Sequence, residues 1–327
     1  MKQKISIVGG HGFLGTRISR RFLNMNIDHS IIDISEGVDS MHYGDVEDID
    51  SLDVLKDSSA IINLAAMHKD DIKPITRYDD VNVDGARNIC DSARKHNINK
   101  IIFTSSVAIY GFAPMNTGED GDHNYFNDYG RTKHEAEIVY KAWQEEDPEN
   151  RTLVIVRPTV IFGEGNRGNV FNLLNQINTK KFLMIGNGKN YKSMAYVENV
   201  AAFIEYSLDF KAGVHIYNYI DKPDFNMNDL IKAIRKTLFN NDSVGLRVPL
   251  FLGMFIGYLA DVLAIIFRKS LPISSIRVKK FISNTMFSTA IDKTNFIPPF
   301  TLEEGLNKTL KYEFVENNAN KKTFYSE

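Results

Sequence analysis

The sequence predicts an α/β fold, with a doubly wound parallel sheet and a second, smaller mixed α/β domain. Two observations carry this prediction. Short apolar runs typical of buried parallel strands are followed by segments whose apolar residues have helical spacing. The first run, Lys4–Val8, leads into a glycine-rich turn and then into a helix that begins at Phe13. Strands and helices that alternate in this way form a parallel sheet covered on both faces.

Size and composition are those of a globular protein. The 327 residues are 43% hydrophobic and 24% charged, with a formal net charge of −2. This length accommodates one large or two moderate domains, and the charge balance argues against nucleic acid as a partner. The single cysteine, Cys90, excludes an intrachain disulfide and favours a reducing compartment. Because the N-terminal residues also lack a signal-peptide pattern, we expect a cytoplasmic location.

The glycine-rich turn predicts a dinucleotide site. Gly9 permits a tight turn, Gly12 lets a pyrophosphate approach the helix N-terminus, and Gly15 lets the helix pack on the strand. Asp33 ends the second strand, where a carboxylate binds the adenosine ribose and repels a 2′-phosphate. We therefore expect NAD as the cofactor.

NADP remains an alternative at this stage, because Arg17, Arg20 and Arg21 lie on the helix that follows the turn. Ala65 and Ala66 are small enough for the cofactor to come close. The full set of expected cofactor contacts is Gly9, Gly12, Phe13, Leu14, Gly15, Asp33, Asp45, Val46, Ala65, Ala66, Asn82, Ser105, Tyr129, Lys133 and Pro158.

Three residues are the catalytic candidates. Tyr129 and Lys133 are four residues apart on a predicted helix, so their side chains share one face. An ammonium beside a phenol lowers the pKa of the phenol and makes it a general base for a hydroxyl. Ser106 follows the strand Lys100–Thr104, and the carboxyl ends of parallel strands face the ligand crevice.

These motifs, in this order, resemble the extended short-chain dehydrogenase/reductase family, in particular its sugar-nucleotide epimerases and dehydratases. Arg-Pro-x-x-x-Phe-Gly at 157–163 and Tyr-Val-Glu-Asn-Val at 196–200 extend the resemblance over nearly the whole chain. It implies a Rossmann-type domain with bound NAD and Tyr129 as the base. Lys133 would support Tyr129, and Ser106 would hold the substrate oxygen. It also implies a homodimer joined through a four-helix interface.

The runs 169–174, 190–197, 217–223 and 275–281 resemble a bacterial subgroup of these epimerases. Members of that subgroup interconvert GlcNAc and GalNAc linked to undecaprenyl diphosphate, through a 4-keto intermediate, for O-antigen synthesis. The resemblance implies a peripheral location at the cytoplasmic face of the inner membrane. Substrate contacts are expected from Ser106, His68, Asn169, Lys192, Arg277 and Lys280.

Other functions stay open at this point. A soluble UDP-GlcNAc or UDP-glucose 4-epimerase would use the same chemistry. An NAD(P)-dependent sugar reductase and a non-catalytic nucleotide-binding protein are further alternatives. The residues around His68 have no metal-ligand spacing, so no metal is expected, and the pattern alone also fits a solvated loop.

The first domain is predicted to span residues 1–165, with residues 195–220 returning to it, and the second to span 166–327. In the second, the apolar stretch Pro249–Phe267 contains one charged residue, Asp261. It fits a helix on the membrane surface, a core helix or, less well, a membrane-spanning helix. A polar tail from Asn317 is expected to be frayed. The basic residues that follow the apolar stretch are Arg268, Lys269, Arg277, Lys279 and Lys280.

Overall fold

A seven-stranded, all-parallel sheet forms the centre of the molecule. The computed structural model describes residues 4–35, 41–69, 72–267, 274–318 and 321–325. The strands are β1 (Lys4–Val8), β2 (His29–Asp33), β3 (Met41–Tyr43), β4 (Ser58–Asn63), β5 (Lys100–Thr104), β6 (Thr152–Pro158), β7 (Val160–Phe162), β8 (Met184–Ile185), β9 (Tyr191–Tyr196), β10 (Gly213–Tyr219), β11 (Asp221–Asn226) and β12 (Arg247–Val248). The order in the large sheet is β10-β6-β5-β4-β1-β2-β3, which confirms the predicted doubly wound sheet.

Helices cover both faces of this sheet. They are α1 (Phe13–Asn24), α2 (Arg77–Asp79), α3 (Gly85–Lys95), α4 (Asp128–Glu145), α5 (Asn169–Asn178), α6 (Val197–Tyr206), α7 (Met227–Phe239), α8 (Leu250–Phe267), α9 (Ser275–Ile282) and α10 (Leu302–Phe314). Successive strand residues point to opposite faces. Ile7 and Ile62 therefore join the core that includes α1 and α6, whereas Val8 and Ile61 join the core that includes α3 and α4. Burial on both faces explains why the strands read as continuous apolar runs.

The sequence of residues 78–97 predicts one continuous helix, but the helix in this segment is interrupted. A π-helical turn, Asp80–Asp84, separates α2 from α3. Such turns are common at functional sites, because they redirect one side chain out of the regular helical pattern. Here the redirected region contains Asn82, which is buried and bonded to two other segments of the chain.

The residues beyond 165 form smaller sheets beside the large one. The strand β9 pairs in parallel with β7 and antiparallel with β11, and β8 pairs with β12. The chain returns to the large sheet at β10, which pairs with β6, and α6 packs against α1. The boundary at residue 165 stays a prediction.

The apolar helix α8 has two different sides. On one side, Gly253 lies against Ile185, and Gly257 lies against the backbone of Ser275 at the start of α9. The carboxylate of Asp261 faces the same way and accepts hydrogen bonds from the Ser275 N–H at 3.2 and 3.3 Å.

The other side of α8 is exposed and apolar, so a fully buried core helix is not what the chain forms. Within the described ranges, no helix combines the length and the apolarity that crossing a bilayer requires. Arg268 and Lys269 lie outside the described residues. The exposed apolar side chains are Leu250, Phe251, Leu252, Phe255, Ile256, Tyr258, Leu259, Val262, Ile266 and Phe267.

The C-terminal segment, residues 321–325, is ordered against the body of the protein, contrary to the prediction of a frayed tail. The Phe324 N–H donates to the Gly165 carbonyl at 2.8 Å, and the Phe324 carbonyl accepts from the Arg167 N–H at 2.7 Å. The segment is held by backbone pairing and by one aromatic anchor. Neither has a periodic sequence signal, so the sequence predicted a frayed tail instead. Residues 319, 320, 326 and 327 lie outside the described residues.

A buried ion pair joins helix α4 to the large sheet. Glu137 on α4 and Arg157 on β6 are 0% and 1% exposed, and they form a two-pronged pair at 2.6 and 2.8 Å. Ser105 donates to Glu137 at 2.6 Å, and Arg157 donates to the Tyr110 hydroxyl at 2.6 Å. Burial by itself would raise the pKa of Glu137, but the hydrogen bonds and charge of Arg157 hold it below its usual value.

We predict that Glu137→Ala lowers the free energy of unfolding by about 3–5 kcal/mol, because Arg157 becomes an unpaired buried charge. Urea unfolding followed by circular dichroism measures the change. Glu145→Ala, an exposed position on the same helix, is the matched control and should change stability by less than about 0.5 kcal/mol. Equal losses in the two variants would contradict a stabilising role for the ion pair.

Candidate active site

One large cavity, of about 990 Å³, lies at the carboxyl ends of the central strands. This is where ligands bind in open parallel sheets, at the point where the strand order reverses. Eighteen of the predicted site residues line it. They are Gly9, Gly12, Phe13, Leu14, Gly15, Asp33, Asp45, Val46, Ala65, Ala66, His68, Ser105, Ser106, Tyr129, Lys133, Pro158, Asn169 and Lys280.

The glycine-rich turn is shaped for close backbone approach. Gly9 has a φ of +72°, and a Cβ there would lie 2.8 Å from the Ala65 nitrogen. A Cβ on Gly15 would lie 2.5 Å from Gly10, so Gly15 packs against the turn itself. A Cβ on Gly12 would meet only the Gly9 carbonyl, at 3.2 Å. Gly12 therefore leaves room for a ligand at the N-terminus of α1.

Asp33 organises the end of the cavity that we expect to hold adenosine. One carboxylate oxygen accepts from the His11 N–H at 3.0 Å, and the other accepts from the Ser35 N–H and hydroxyl at 3.1 and 2.9 Å. Each carboxylate oxygen can accept more than one hydrogen bond, so Asp33 can hold the turn and still bind a ribose hydroxyl.

The three arginines that kept NADP open are engaged elsewhere. Arg17 and Arg20 pair with Glu198, and Arg21 pairs with Glu205 at 2.9 Å. Both carboxylates lie on α6. Because these guanidinium groups are already neutralised by acids of α6, they are not directed at the ribose, and the NADP alternative loses its support.

The catalytic candidates meet because two local structures fix their backbones. Asn127 caps α4 by accepting the Gly130 N–H at 3.0 Å, and a Cβ on Gly130 would lie 2.6 Å from the Ala108 carbonyl. Helix α4 thus begins directly against the turn that follows Ser106. Within that turn, the Ser106 hydroxyl accepts the Ala108 N–H at 3.1 Å, and it is also hydrogen-bonded to Tyr129.

Burial controls the protonation of this group. It raises the pKa of Tyr129, against the opposing effect of the hydrogen bond to Ser106. It lowers the pKa of Lys133 to about 7, while the charge of Glu137 acts in the opposite direction. Our expectation that Lys133 lowers the pKa of Tyr129 is therefore not met in the protein alone. The physical reason is that burial disfavours the charged phenolate.

Asn82 is a supporting residue rather than part of the cavity wall. Its amide accepts the Met67 N–H at 2.8 Å and donates to the Met67 carbonyl at 3.0 Å. It also donates to the Thr132 hydroxyl at 2.9 Å. Asn82 thereby ties the loop that follows β4 to the catalytic helix. A direct contact between Asn82 and the cofactor stays a prediction.

Lys192 and Arg277 are also absent from the cavity wall that the described residues form. The Lys192 ammonium donates to the carbonyls of Lys280 and Ser283 at 2.8 and 2.7 Å, at the C-terminal end of α9. Burial lowers its pKa to about 8. Lys192 thus fixes the helix that carries Lys280, whereas Arg277 is exposed on α9.

Two aromatic residues at the mouth of the cavity were missed. Phe112 and Phe126 line it with their rings stacked 5.2 Å apart, and both are about half exposed. The Lys280 ammonium lies 4.9 Å from the centre of the Phe126 ring. Both aromatics lie in irregular segments near Tyr129, where no periodic pattern distinguishes a wall residue from an exposed one.

The residues present fit a dinucleotide. Besides the open position at Gly12 and the carboxylate of Asp33, the hydroxyl of Thr104 lines the cavity and is buried without a hydrogen-bond partner in the described structure. A buried hydroxyl in this state gains a partner when a polar ligand enters.

The profile of the NAD dependent epimerase/dehydratase family matches residues 5–219. The chain belongs to that family. NAD is the cofactor, and the enzyme is an isomerase of the epimerase type. The chain is 44% identical, over the full length of both proteins, to N-acetyl-alpha-D-glucosaminyl-diphospho-ditrans,octacis-undecaprenol 4-epimerase of Escherichia coli O157:H7.

More distant relatives share the whole fold. UDP-glucose 4-epimerase of Vibrio cholerae is 24% identical, over 97% of this chain and 98% of that protein. The structure of UDP-N-acetylglucosamine 4-epimerase from Methanobrevibacter ruminantium M1 superposes with a TM-score of 0.72 and 22% identity, covering 95% of this chain and 98% of that one. The structure of UDP-glucose 4-epimerase from Thermus thermophilus, in complex with NAD, has a TM-score of 0.71 and 15% identity, and it also covers 95% of this chain and 98% of that one. These likenesses confirm the fold class.

We predict that Lys133→Met stabilises the cofactor-stripped protein at pH 6 by up to about 5 kcal/mol, and much less at pH 10. The folded protein holds Lys133 with a pKa of about 7, against 10.5 for the free group. Between pH 7 and pH 10.5, Lys133 is more often protonated in the unfolded chain than in the folded protein. The free energy of unfolding of the wild type therefore rises with pH in this range. Methionine is an unbranched replacement that does not titrate. Urea unfolding of both proteins at several pH values tests this, and a difference that does not vary with pH would contradict it.

Proposed function

We propose that this chain is an NAD-dependent 4-epimerase that interconverts GlcNAc and GalNAc carried on undecaprenyl diphosphate. The observation that carries the proposal is the 44% identity, over the full length of both chains, to the Escherichia coli enzyme of that name. The arrangement of Ser106, Tyr129 and Lys133 in one cavity with the glycine-rich turn supports it.

In the proposed mechanism, Tyr129 removes the proton from the C4 hydroxyl of the sugar. Ser106, which is hydrogen-bonded to Tyr129, holds the C4 oxygen while it becomes a carbonyl. When bound, oxidised NAD supplies the hydride acceptor and a positive charge that favours the phenolate of Tyr129. Lys133, in its protonated form, adds to this charge. Tyr129 then returns the proton when the configuration at C4 is inverted.

Inversion requires the 4-keto sugar to present its other face to the same cofactor. The cavity volume of about 990 Å³ leaves room for a hexosamine to turn beside a bound dinucleotide. Because the hydride that leaves C4 must return to it, the protein has to keep the cofactor through the whole cycle.

The mouth of the cavity supports an amphipathic, diphosphate-linked substrate. Lys280 offers a cation there, next to the exposed rings of Phe112 and Phe126. Lys280 lies on α9, and α9 packs directly against α8. The cation that suits a diphosphate is therefore held by the helix that packs against α8, and the exposed apolar face of α8 suits a lipid chain.

We propose further that α8 rests on the cytoplasmic surface of the inner membrane. Its exposed side consists of aliphatic and aromatic side chains, and its one acidic residue, Asp261, is turned inward to α9. A contiguous apolar surface of this kind marks an interaction site, and a helix lying in the membrane interface buries such a face among the lipid head groups.

The homodimer also stays a prediction. Helices α3 and α4 pack side by side on one face of the sheet, and Ile138 on α4 is 53% exposed. Two such pairs would form the four-helix interface implied by the family resemblance.

The first test incubates the protein, without added cofactor, with radiolabelled GlcNAc-diphospho-undecaprenol in detergent and, separately, with UDP-GlcNAc. We expect labelled GalNAc from the lipid-linked sugar only, once mild acid has released it. Tyr129→Phe should lower the rate about 1,000-fold, because the general base is removed. Tyr125→Phe, a partly exposed tyrosine nearby, is the matched control. GalNAc from UDP-GlcNAc alone would replace the lipid-linked function with that of a soluble epimerase.

A second test concerns the membrane surface. Phe251→Glu combined with Phe255→Glu places two charges on the exposed side of α8 and should lower binding to anionic liposomes at least tenfold, because charge opposes insertion into the interface. Cosedimentation measures the bound fraction. Ile297→Glu, which is 84% exposed but lies outside α8, should bind as the wild type does. Undiminished binding of the double variant would refute the role of α8.

A further inference from the structure

The C-terminal segment lies beside the glycine-rich turn and helps to enclose the cavity. Lys322, Thr323, Phe324 and Tyr325 all line it, together with the residues that face the cofactor. The segment is more than 300 residues distant in sequence from the turn that it touches. Its position therefore depends on specific contacts.

Phe324 is the anchor of the segment. Its ring packs against that of Phe13, with centroids 5.7 Å apart, at the first residue of α1. Its backbone is hydrogen-bonded on both sides to the loop of residues 165–167. Glu313 fixes that loop in turn, by accepting the Gly165 N–H at 2.7 Å and pairing with Arg167 at 2.8 Å. The segment thus bridges α1 and the loop that precedes α5.

Lys322 brings a cation to the glycine-rich turn. The Lys322 ammonium donates to the carbonyl of His11 at 3.1 Å. The backbone N–H of His11 in turn donates to the Asp33 carboxylate. His11 directly precedes Gly12, where the backbone is open to a pyrophosphate. An ammonium has three donors, so the bond to His11 leaves Lys322 able to donate to a ligand oxygen. The first turn of α1 has no acidic residue to oppose an anion there.

We propose that the C-terminal segment is part of the cofactor site, in which Phe324 anchors the chain and Lys322 binds the diphosphate of NAD, so that cofactor release is slowed. This inference rests on the proposed function in one respect. An epimerase that returns the same hydride gains from a retained cofactor, whereas a reductase must exchange its cofactor in every cycle.

The test measures cofactor retention and needs no sugar. Holoenzyme loaded with radiolabelled NAD is diluted into excess unlabelled NAD, and the rate at which label leaves the protein is followed by rapid gel filtration. Loss of one charge-assisted hydrogen bond should speed release about tenfold or more in Lys322→Ala. Phe324→Ala should have a similar effect, because the segment loses its anchor.

Lys321→Ala is the matched control. Lys321 has the same charge one residue earlier, but it lies over the ring of Tyr312 and does not line the cavity that the described residues form. The rate at which NAD leaves the Lys321→Ala variant should stay within about twofold of the wild-type rate, because no contact to the cofactor site is lost. Lys322→Arg should restore slow release, since a cation is kept. Thermal unfolding of each apoprotein confirms that the variants fold.

Wild-type release rates in both Lys322→Ala and Phe324→Ala would overturn the proposal and leave the segment as a packing element only. Fast release in Phe324→Ala alone would overturn the role of Lys322. Neither result bears on the sugar substrate. Conversely, if the lipid-linked sugar is not epimerised, the retention measurement still decides the role of the segment.

Discussion

The buried pair between Glu137 and Arg157 is the interaction on which the site depends. It connects the helix that carries Tyr129 and Lys133 to strand β6 of the large sheet. Through Ser105 it also reaches the strand end that carries Ser106. Ser106 lies on a different segment from Tyr129 and Lys133, so the spacing of the three catalytic candidates is only as fixed as the contacts between the two segments. A fully buried, two-pronged pair is directional, and it supplies that constraint where apolar packing alone would allow the helix to slide.

The same burial that fixes the site also sets its chemistry. Removal from water opposes charge on both Tyr129 and Lys133, so the pKa of the phenol rises and that of the lysine falls. Positive charge brought into the cavity by an oxidised cofactor would favour the phenolate of Tyr129.

The parts of the site that a short run of sequence determines were predictable. The glycine-rich turn, Asp33 and the shared position of Tyr129 and Lys133 on the cavity wall each depend on spacing within one strand–turn–helix unit or one helical turn. The parts that depend on distant backbone contacts were not predictable. Asn82 and Lys192 bond to the carbonyls of remote segments, and their sequence neighbours give no sign of those partners.

The C-terminal segment and Asp261 are two further features whose contacts could not be predicted from the sequence. Composition made residues after 317 look like solvent-exposed chain, because Phe324 contributes a single anchor without any repeat. The carboxylate of Asp261 looked like an obstacle within an apolar helix, yet it caps the next helix. In both cases, the partner is fixed by the tertiary fold, and no local preference could reveal it.

The close contact of Gly257 with Ser275 has a mechanical consequence. It brings α8 and α9 together without intervening side chains, and the bond from Ser275 to Asp261 prevents them from rotating independently. We therefore expect the two helices to move together. The exposed apolar face lies on α8, and Lys280 of α9 lines the mouth of the cavity. A surface that tilted α8 would then also displace Lys280.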